Sequence, residues 1–412
     1  MRRRLLGCLN GWWDDTATTA AASSRIPSLS VGGGVVAGFV PPPYPYDRLD
    51  ELRAVADGLD GGCVDLSVGA PSDPPSAEVV EALAGSGAER GYPASIGSPA
   101  YREAALGWLA RRFGVEPAGA AVAACVGTKE FVASLPHYLR LRDPGRDTVL
   151  FPAISYPTYA MGAALAGCRA VPVPVDDQWC LDLESIDPED AARALCLWVN
   201  SPGNPAGGLE DLAAIAQWGR DRGVPVFSDE CYIEFTWGAG HGASILQHGA
   251  QGVMAVHSLS KRSNMAGIRV GFYAGDPELV GYLSEVRKHA GMMIPGPAQA
   301  AALAAFNDDA HVDVQRAVYA SRLNRLRELF SAYDSEAALP GGGLYLWVAS
   351  PDGDGWTLAR QVAEEMGALV SPGEFYGPAG AGHIRAAAVA PDAQIDLLEQ
   401  RMAARRGDTV RK

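Results

Sequence analysis

Short apolar runs separated by longer amphipathic stretches set the rhythm of this chain from about Val64 onward. Seven runs read as buried strands: 121–126 (AVAACV), 148–152, 170–175, 194–200 (ALCLWVN), 224–229, 253–259 and 268–275. Helical stretches lie between most of them, as in 209–223 (LEDLAAIAQWGRDRG). Nearly continuous apolar strands alternating with helices predict an α/β domain around a mainly parallel, seven-stranded sheet. After Val280 the pattern turns largely helical, with a long stretch from about Val312 to Tyr333. Two further strand candidates, 343–349 and 383–390, flank the helical 357–367, which predicts a smaller α+β domain.

A chain of 412 residues is long enough for two such units. The expected division is a large domain over 65–310 and a small domain over 311–412, with 39–64 as the small domain's N-terminal part. The Pro-rich segment 40–49 (VPPPYPYDRL) opens the folded portion. Residues 1–38, rich in Ala, Ser, Thr and Gly, read as a disordered extension.

Composition narrows the partners. A formal net charge of −14 argues against nucleic acid or an anionic membrane, both of which want a basic surface. Seven scattered cysteines with no C-x-x-C pair suit a reducing cytoplasm and offer no metal site. No apolar run approaches the roughly 18 residues needed to cross a bilayer. The basic start MRRRLLGC lacks the apolar core of a signal peptide, since only two apolar residues separate its arginines from Gly7. Two G-x-G-x-x-A matches, at 32–37 and 238–243, neither follow a strand nor open a helix, as a dinucleotide fingerprint requires.

The chemistry gathers at three segments that close consecutive strand candidates: N-S-P-G-N-P-A-G-G (200–208), S-D-E-C-Y (228–232) and H-S-L-S-K-R-S-N (257–264). In open α/β sheets ligands bind outside the carboxyl ends of the strands. Asn204, Asp229, Tyr232 and Lys261 therefore converge on one crevice, with Arg269 opening the next strand. An amine forms an imine with an aldehyde, and a carboxylate pairs with a pyridinium N–H. A phenol and an amide hydrogen-bond a phenolic oxygen, while an Arg beside hydroxyls and a helix start holds a phosphate. Pyridoxal 5′-phosphate presents all of these features on one ring, and its protonated nitrogen works as an electron sink. Lysine usage points the same way. Only Lys129, Lys261, Lys288 and Lys412 stand among 34 basic residues, so Arg carries the surface charge and Lys261 stands out. Arg cannot form the imine.

Together, in this order and spacing, these segments resemble the class I/II aminotransferases of pyridoxal phosphate fold type I, over roughly residues 40–402. The resemblance implies that Lys261 forms the imine and shuttles the proton between substrate Cα and the cofactor. It implies that Asp229 pairs with the ring nitrogen and that Asn204 and Tyr232 bond the ring oxygen. Arg269, Ser258 and the Gly127-Thr128-Lys129 turn hold the phosphate, and Tyr156 stacks on the ring. Arg385 in HIRAAA grips the substrate α-carboxylate, with the Gly69 backbone nearby. Tyr92 in G-Y-P-A-S-I-G reaches the phosphate of a neighbouring subunit, which implies a homodimer.

The passages 65–74, 127–136, 257–276 and 285–301 are most similar to N-succinyldiaminopimelate aminotransferases of the actinobacterial type. That resemblance implies glutamate/2-oxoglutarate as one substrate pair and a role in lysine and diaminopimelate synthesis. Ping-pong turnover follows from such a reaction. The distal carboxylates of such substrates need cations, for which Arg262, Arg287 and Lys288 are the candidates near these motifs. An aminotransferase for aspartate, alanine or aromatic amino acids, a β-lyase on the same cofactor, and a cofactor-binding regulator without turnover are the alternatives. A regulator of that kind needs a separate DNA-binding module, for which residues 1–38 are too short and too weakly basic.

Overall fold

The computed structural model describes residues 39–409 apart from 117, 239–241, 334 and 336, so the expected disordered extension over 1–38 lies outside the described residues. Residues 39–43 are exposed and carry no regular secondary structure. The strands are, in chain order, β1 (Val64–Asp65), β2 (Ala121–Cys125), β3 (Thr148–Pro152), β4 (Arg169–Val173), β5 (Ala194–Asn200) and β6 (Val226–Asp229). They continue with β7 (Val253–Ser258), β8 (Gly271–Gly275), β9 (Tyr345–Ala349), β10 (Ala368–Leu369), β11 (Ser371–Pro372) and β12 (His383–Ala387).

Seven of these form one sheet in the order β2-β8-β7-β6-β5-β3-β4, and they are the seven that the apolar runs predict. All pairings are parallel except those of β8, which runs antiparallel to both β2 and β7. The reversal has a local cause. Residues 259–270 turn back through the short helix Leu259–Arg262 and the 3-10 turn Ala266–Ile268 instead of crossing the sheet on a long helix.

Both faces of the sheet are buried, which explains why its strands read as unbroken apolar runs. Val122, Leu197, Val226, Ala255 and Phe272 pack into one cluster, and the intervening Ala123, Trp198, Phe227, Val256 and Tyr273 into another. Helix ends follow their sequence signals. Asp211 caps the helix Leu212–Arg222 by accepting from the Ala214 amide, and Gly223 ends it at φ +59, a conformation that costs glycine little.

The C-terminal part holds a three-stranded antiparallel sheet, β11-β12-β9, packed with the helices Ala310–Phe330 and Gly355–Glu365. β1 pairs in parallel with β10 and so ties residues 64–65 to this part of the chain. Among the described residues no helix is long and apolar enough to cross a membrane.

Candidate active site

The carboxyl ends of three adjacent strands deliver the polar groups. In the register Asn200 of β5 stands beside Asp229 of β6, and Asp229 beside Val256 of β7. Asn200 fixes the rim: its Nδ2 donates to the Asp229 carbonyl at 2.8 Å, and its Oδ1 accepts from the Asn204 amide at 2.7 Å. The turns beyond these strands, the start of the helix Thr128–Arg142 and side chains of β9 and β12 enclose a cavity of about 500 Å³. Gly69, Thr128, Lys129, Tyr156, Asn204, Asp229, Tyr232, Ser258, Lys261, Arg269 and Arg385, all expected from the sequence, line it.

Lys261 sits on the wall with its Nζ donating to the Gly69 carbonyl. Burial pushes its ammonium down to about 8, and the positive charges of Arg385 and Arg269 act in the same direction. Asp229 is buried. Its Oδ2 accepts from the Tyr159 hydroxyl at 2.9 Å and its Oδ1 from the Cys231 amide at 3.2 Å. Burial nevertheless pushes its carboxyl above the usual range, and a positive charge placed beside it would bring it down again. The Tyr232 hydroxyl lies 2.8 Å from that of Tyr345, and burial pushes the Tyr232 phenol well up.

A cradle stands opposite these groups. Thr128 opens a 15-residue helix and lines the cavity together with Lys129, so the helix start, which favours an anion, stands at the cavity. Ser258 accepts from the Ser260 amide at 3.1 Å. Arg269 adopts the left-handed conformation at φ +60, which costs a non-glycine residue about 1–2 kcal/mol. Gly127, at φ +74, lies behind the wall, and a Cβ there would collide with the Arg269 guanidinium. Glycine at 127 thus lets the Arg269 side chain close over the turn.

Arg385 is 2% exposed and sandwiched, its Cζ lying 4.1 Å from the Tyr345 ring centroid and 4.7 Å from that of Tyr376. Its Nη1 donates to Asn204 Oδ1 at 2.8 Å and its Nη2 to the Ser67 carbonyl at 2.5 Å, while its buried Nε has no partner. Lys129 points its Nζ at the rings of Tyr44 and Tyr156, 5.2 and 6.0 Å from their centroids. Burial alone would lower its ammonium, but the two phenols outweigh that and raise it.

Besides Gly127, two expectations fall outside the cavity. Tyr92 is 97% exposed and does not line it. The three candidates for distal carboxylates are engaged elsewhere, which corrects that expectation. Arg262 is buried beside Glu234, Arg287 binds Glu130 through both Nη atoms, and Lys288 pairs with Glu285 on the surface. The residues that reading the sequence missed are mostly tyrosines. Tyr44, Tyr46 and Tyr345 line the cavity, Tyr376 backs Arg385 and Tyr159 holds Asp229. Two of them, Tyr44 and Tyr46, lie in the Pro-rich segment that the sequence marks only as the start of the folded part.

The residues fit pyridoxal phosphate. A buried amine with a depressed pKa, a buried carboxyl one strand away, a helix start with an arginine over it, and an unpartnered arginine Nε share one cavity. The sequence decides the family: residues 62–401 match the family model described as aminotransferase class I and II. The chain belongs to that family. It is a pyridoxal-phosphate-dependent aminotransferase of fold type I.

Among relatives of this aminotransferase, a probable aminotransferase of Mycobacterium tuberculosis is 40% identical over 410 residues, covering 94% of this chain and 93% of its own. The 4-dedimethylamino-4-oxo-anhydrotetracycline transaminase OxyQ of Streptomyces rimosus is 42% identical, covering 88% and 99%. An LL-diaminopimelate aminotransferase of Desulforudis audaxviator is 33% identical, covering 88% and 95%. The crystal structure of an aminotransferase from Neisseria meningitidis superposes with a TM-score of 0.81 at 28% identity, covering 88% and 98%. A probable N-succinyldiaminopimelate aminotransferase from Thermus thermophilus does so with a TM-score of 0.77 at 25% identity, covering 87% and 99%.

Proposed function

We propose that this aminotransferase moves an amino group between glutamate and N-succinyl-2-amino-6-oxopimelate, in lysine and diaminopimelate synthesis. The observation that carries the reading is the set of cations in the cavity. Lys129, Lys261, Arg269 and Arg385 line it, and Asp229 is the only acidic side chain among the described residues that do. In this reading Lys261 serves the reacting carbon, Arg269 the phosphate and Arg385 the α-carboxylate. Lys129 then remains for a second anion, which suits substrates with a distal carboxylate. The similarity to diaminopimelate and N-succinyldiaminopimelate aminotransferases supports the same choice.

Pyridoxal phosphate bound here supplies an aldehyde that takes up the amino group and a ring that draws electrons from Cα. The chain's own residues do the rest. Asp229 would keep the ring nitrogen protonated, while Asn204 and Tyr232 would hydrogen-bond the ring oxygen and Tyr156 would stack on the ring. Thr128, Ser258, Arg269 and the 127–129 turn hold the phosphate. Arg385, with its free Nε–H, takes the α-carboxylate in the two-point geometry that fixes orientation as well as charge. The Lys261 amine, half neutral near pH 8 and more so above it, would move the proton at substrate Cα, a role worth about 10²–10⁴-fold in rate. Tyr92, exposed on one chain, completes the phosphate site of a second copy, and the working unit is a homodimer.

A panel of oxo acceptors with glutamate as donor tests the substrate. The succinylated oxopimelate should give the highest kcat/KM, and Lys129→Gln should lower it selectively for acceptors with a distal carboxylate. Preference for an aromatic or branched oxo acid overturns the substrate and leaves the class intact. The 42% identity to OxyQ favours a second reading, a polycyclic oxo acceptor, and one such ketone belongs in the panel. Release of ammonia and pyruvate without an aminated cofactor product would instead identify a β-lyase.

A further inference from the structure

Tyr46 lies on the cavity wall in the 3-10 turn Pro45–Leu49. Its hydroxyl is 3.0 Å from the Tyr376 hydroxyl and accepts from Arg385 Nη2 at 3.3 Å. It is therefore the one phenol lining the cavity that hydrogen-bonds Arg385 among the described residues. The Tyr46 ring is held from two sides, with centroids 5.4 Å from Tyr44 and 5.7 Å from Phe375, so the hydroxyl has little freedom to leave.

We propose that Tyr46 is a substrate-binding and selecting residue, whose hydroxyl donates to the same α-carboxylate that Arg385 pairs with. The inference rests on the reading of Arg385 given above and adds a second donor to that subsite. The hydrogen count allows it. In the ligand-free site the Tyr46 oxygen accepts from Arg385, and one of the two phenol protons bridges Tyr46 and Tyr376. When a carboxylate arrives, Tyr376 donates to Tyr46 and the Tyr46 proton turns to the carboxylate, so both phenol protons keep an acceptor. A phenol that is already bonded to the guanidinium also keeps Arg385 from rotating away from the cavity.

The groups facing Tyr46 are Arg385, Tyr376, Ser371, Tyr44 and Phe375, of which only Arg385 is a permanent charge. Burial alone would push the Tyr46 phenol up. The Arg385 charge and the hydrogen bonds with Tyr376 and Arg385 outweigh it and hold the phenol below its ordinary value of 10.0. The sign of the pH effect follows. Below that pKa the phenol donates; above it a phenolate repels the carboxylate and offsets the Arg385 charge, so carboxylate affinity falls on the alkaline side.

The test is the binding of glutarate, which carries carboxylates but no amino group, to the holoenzyme, read from the change in cofactor absorbance. Tyr46→Phe keeps the ring and removes the donor. It should weaken glutarate about tenfold and raise KM for both amino donor and oxo acceptor by more than it lowers kcat. The wild-type alkaline limb, with a midpoint below pH 10, should disappear in this variant. A purely structural Tyr46 would move stability but not that limb. Unchanged affinity together with an unchanged pH profile in Tyr46→Phe overturns the proposal. Arg385→Gln, measured in parallel, separates the two claims. If it leaves glutarate binding intact, the Arg385 reading fails and takes this one with it. If it abolishes binding while Tyr46→Phe has no effect, only the Tyr46 assignment fails.

Discussion

Tyr159 donates its phenolic proton to Asp229 across 2.9 Å, and its ring lies 5.2 Å from that of Trp198 at an interplanar angle of 23°. The carboxyl proposed to pair with the ring nitrogen is thus held by a fully buried phenol on a stacked ring. Burial raises the Asp229 pKa and this hydrogen bond works against it. Tyr159→Phe therefore leaves the carboxyl neutral over a wider pH range. The expected result is an acid limb of kcat shifted to higher pH, with weaker cofactor binding and turnover lowered about tenfold, as for one lost hydrogen bond to a charged group. An unshifted acid limb would show that the Cys231 amide alone is enough to hold the charge.

The Lys261 amine predicts how the apoprotein takes up its cofactor. Only the neutral amine attacks an aldehyde, and burial brings its pKa to about 8. The rate at which added pyridoxal phosphate develops the imine absorbance should rise with pH and level off above about 8. Lys261→Ala and Lys261→Arg should develop none, the first for want of an amine and the second because a guanidinium stays protonated. A rate still climbing at pH 10 would place the amine in the ordinary lysine range and contradict the burial argument.

Much of this site was legible in the sequence because it sits on strand ends. Apolar runs mark β5, β6 and β7, and the polar residues that interrupt them, Asn204, Asp229 and Lys261, must then lie on one rim. The two-residue strands β1, β10 and β11 were not legible, since two residues carry no period. Arg262 and Arg287 show the other limit. Their neighbours in sequence suggest the site, but side-chain direction in a turn or at a helix end is set by packing, and they turn to the buried Glu234 and the half-buried Glu130 instead. Tyr46 and Tyr159 were illegible for the opposite reason. A tyrosine in an apolar or Pro-rich stretch reads as core until its hydroxyl partner is known.

Gly127 predicts a loss that follows from a side chain it lacks. A Cβ there would meet both the strain of φ +74 and the Arg269 guanidinium. Gly127→Ala should therefore push Arg269 off the turn and weaken the anion site. Equilibrium dialysis should find pyridoxal phosphate bound about ten to a hundred times more weakly, with pyridoxal lacking the phosphate affected far less. Equal weakening of both forms would place the damage in the ring site.

Glu234 governs stability behind the catalytic turn. Its Oε1 accepts from Trp108 Nε1 at 2.7 Å, and its Oε2 accepts from Arg112 Nη2 at 2.9 Å. Its Oε1 also lies 3.6 Å from Arg262 Nε. Arg262 follows Lys261 directly, is 2% exposed, donates to the Ala305 carbonyl at 2.9 Å and lies over the Trp108 ring at 5.0 Å. Burial already pushes its guanidinium down to about 10, so it depends on Glu234 for the charge that offsets its desolvation. Glu234→Ala leaves that guanidinium buried and short of its nearest anion, which costs about 3–5 kcal/mol. Glu234→Gln keeps the Trp108 acceptor and should recover part of the loss. Denaturant unfolding of the apoprotein measures the difference without cofactor stabilisation, and the same variants should bind pyridoxal phosphate less tightly because the Lys261 turn loses its anchor. A loss under about 1 kcal/mol in Glu234→Ala would mean that water reaches the cluster and that the turn is held from elsewhere.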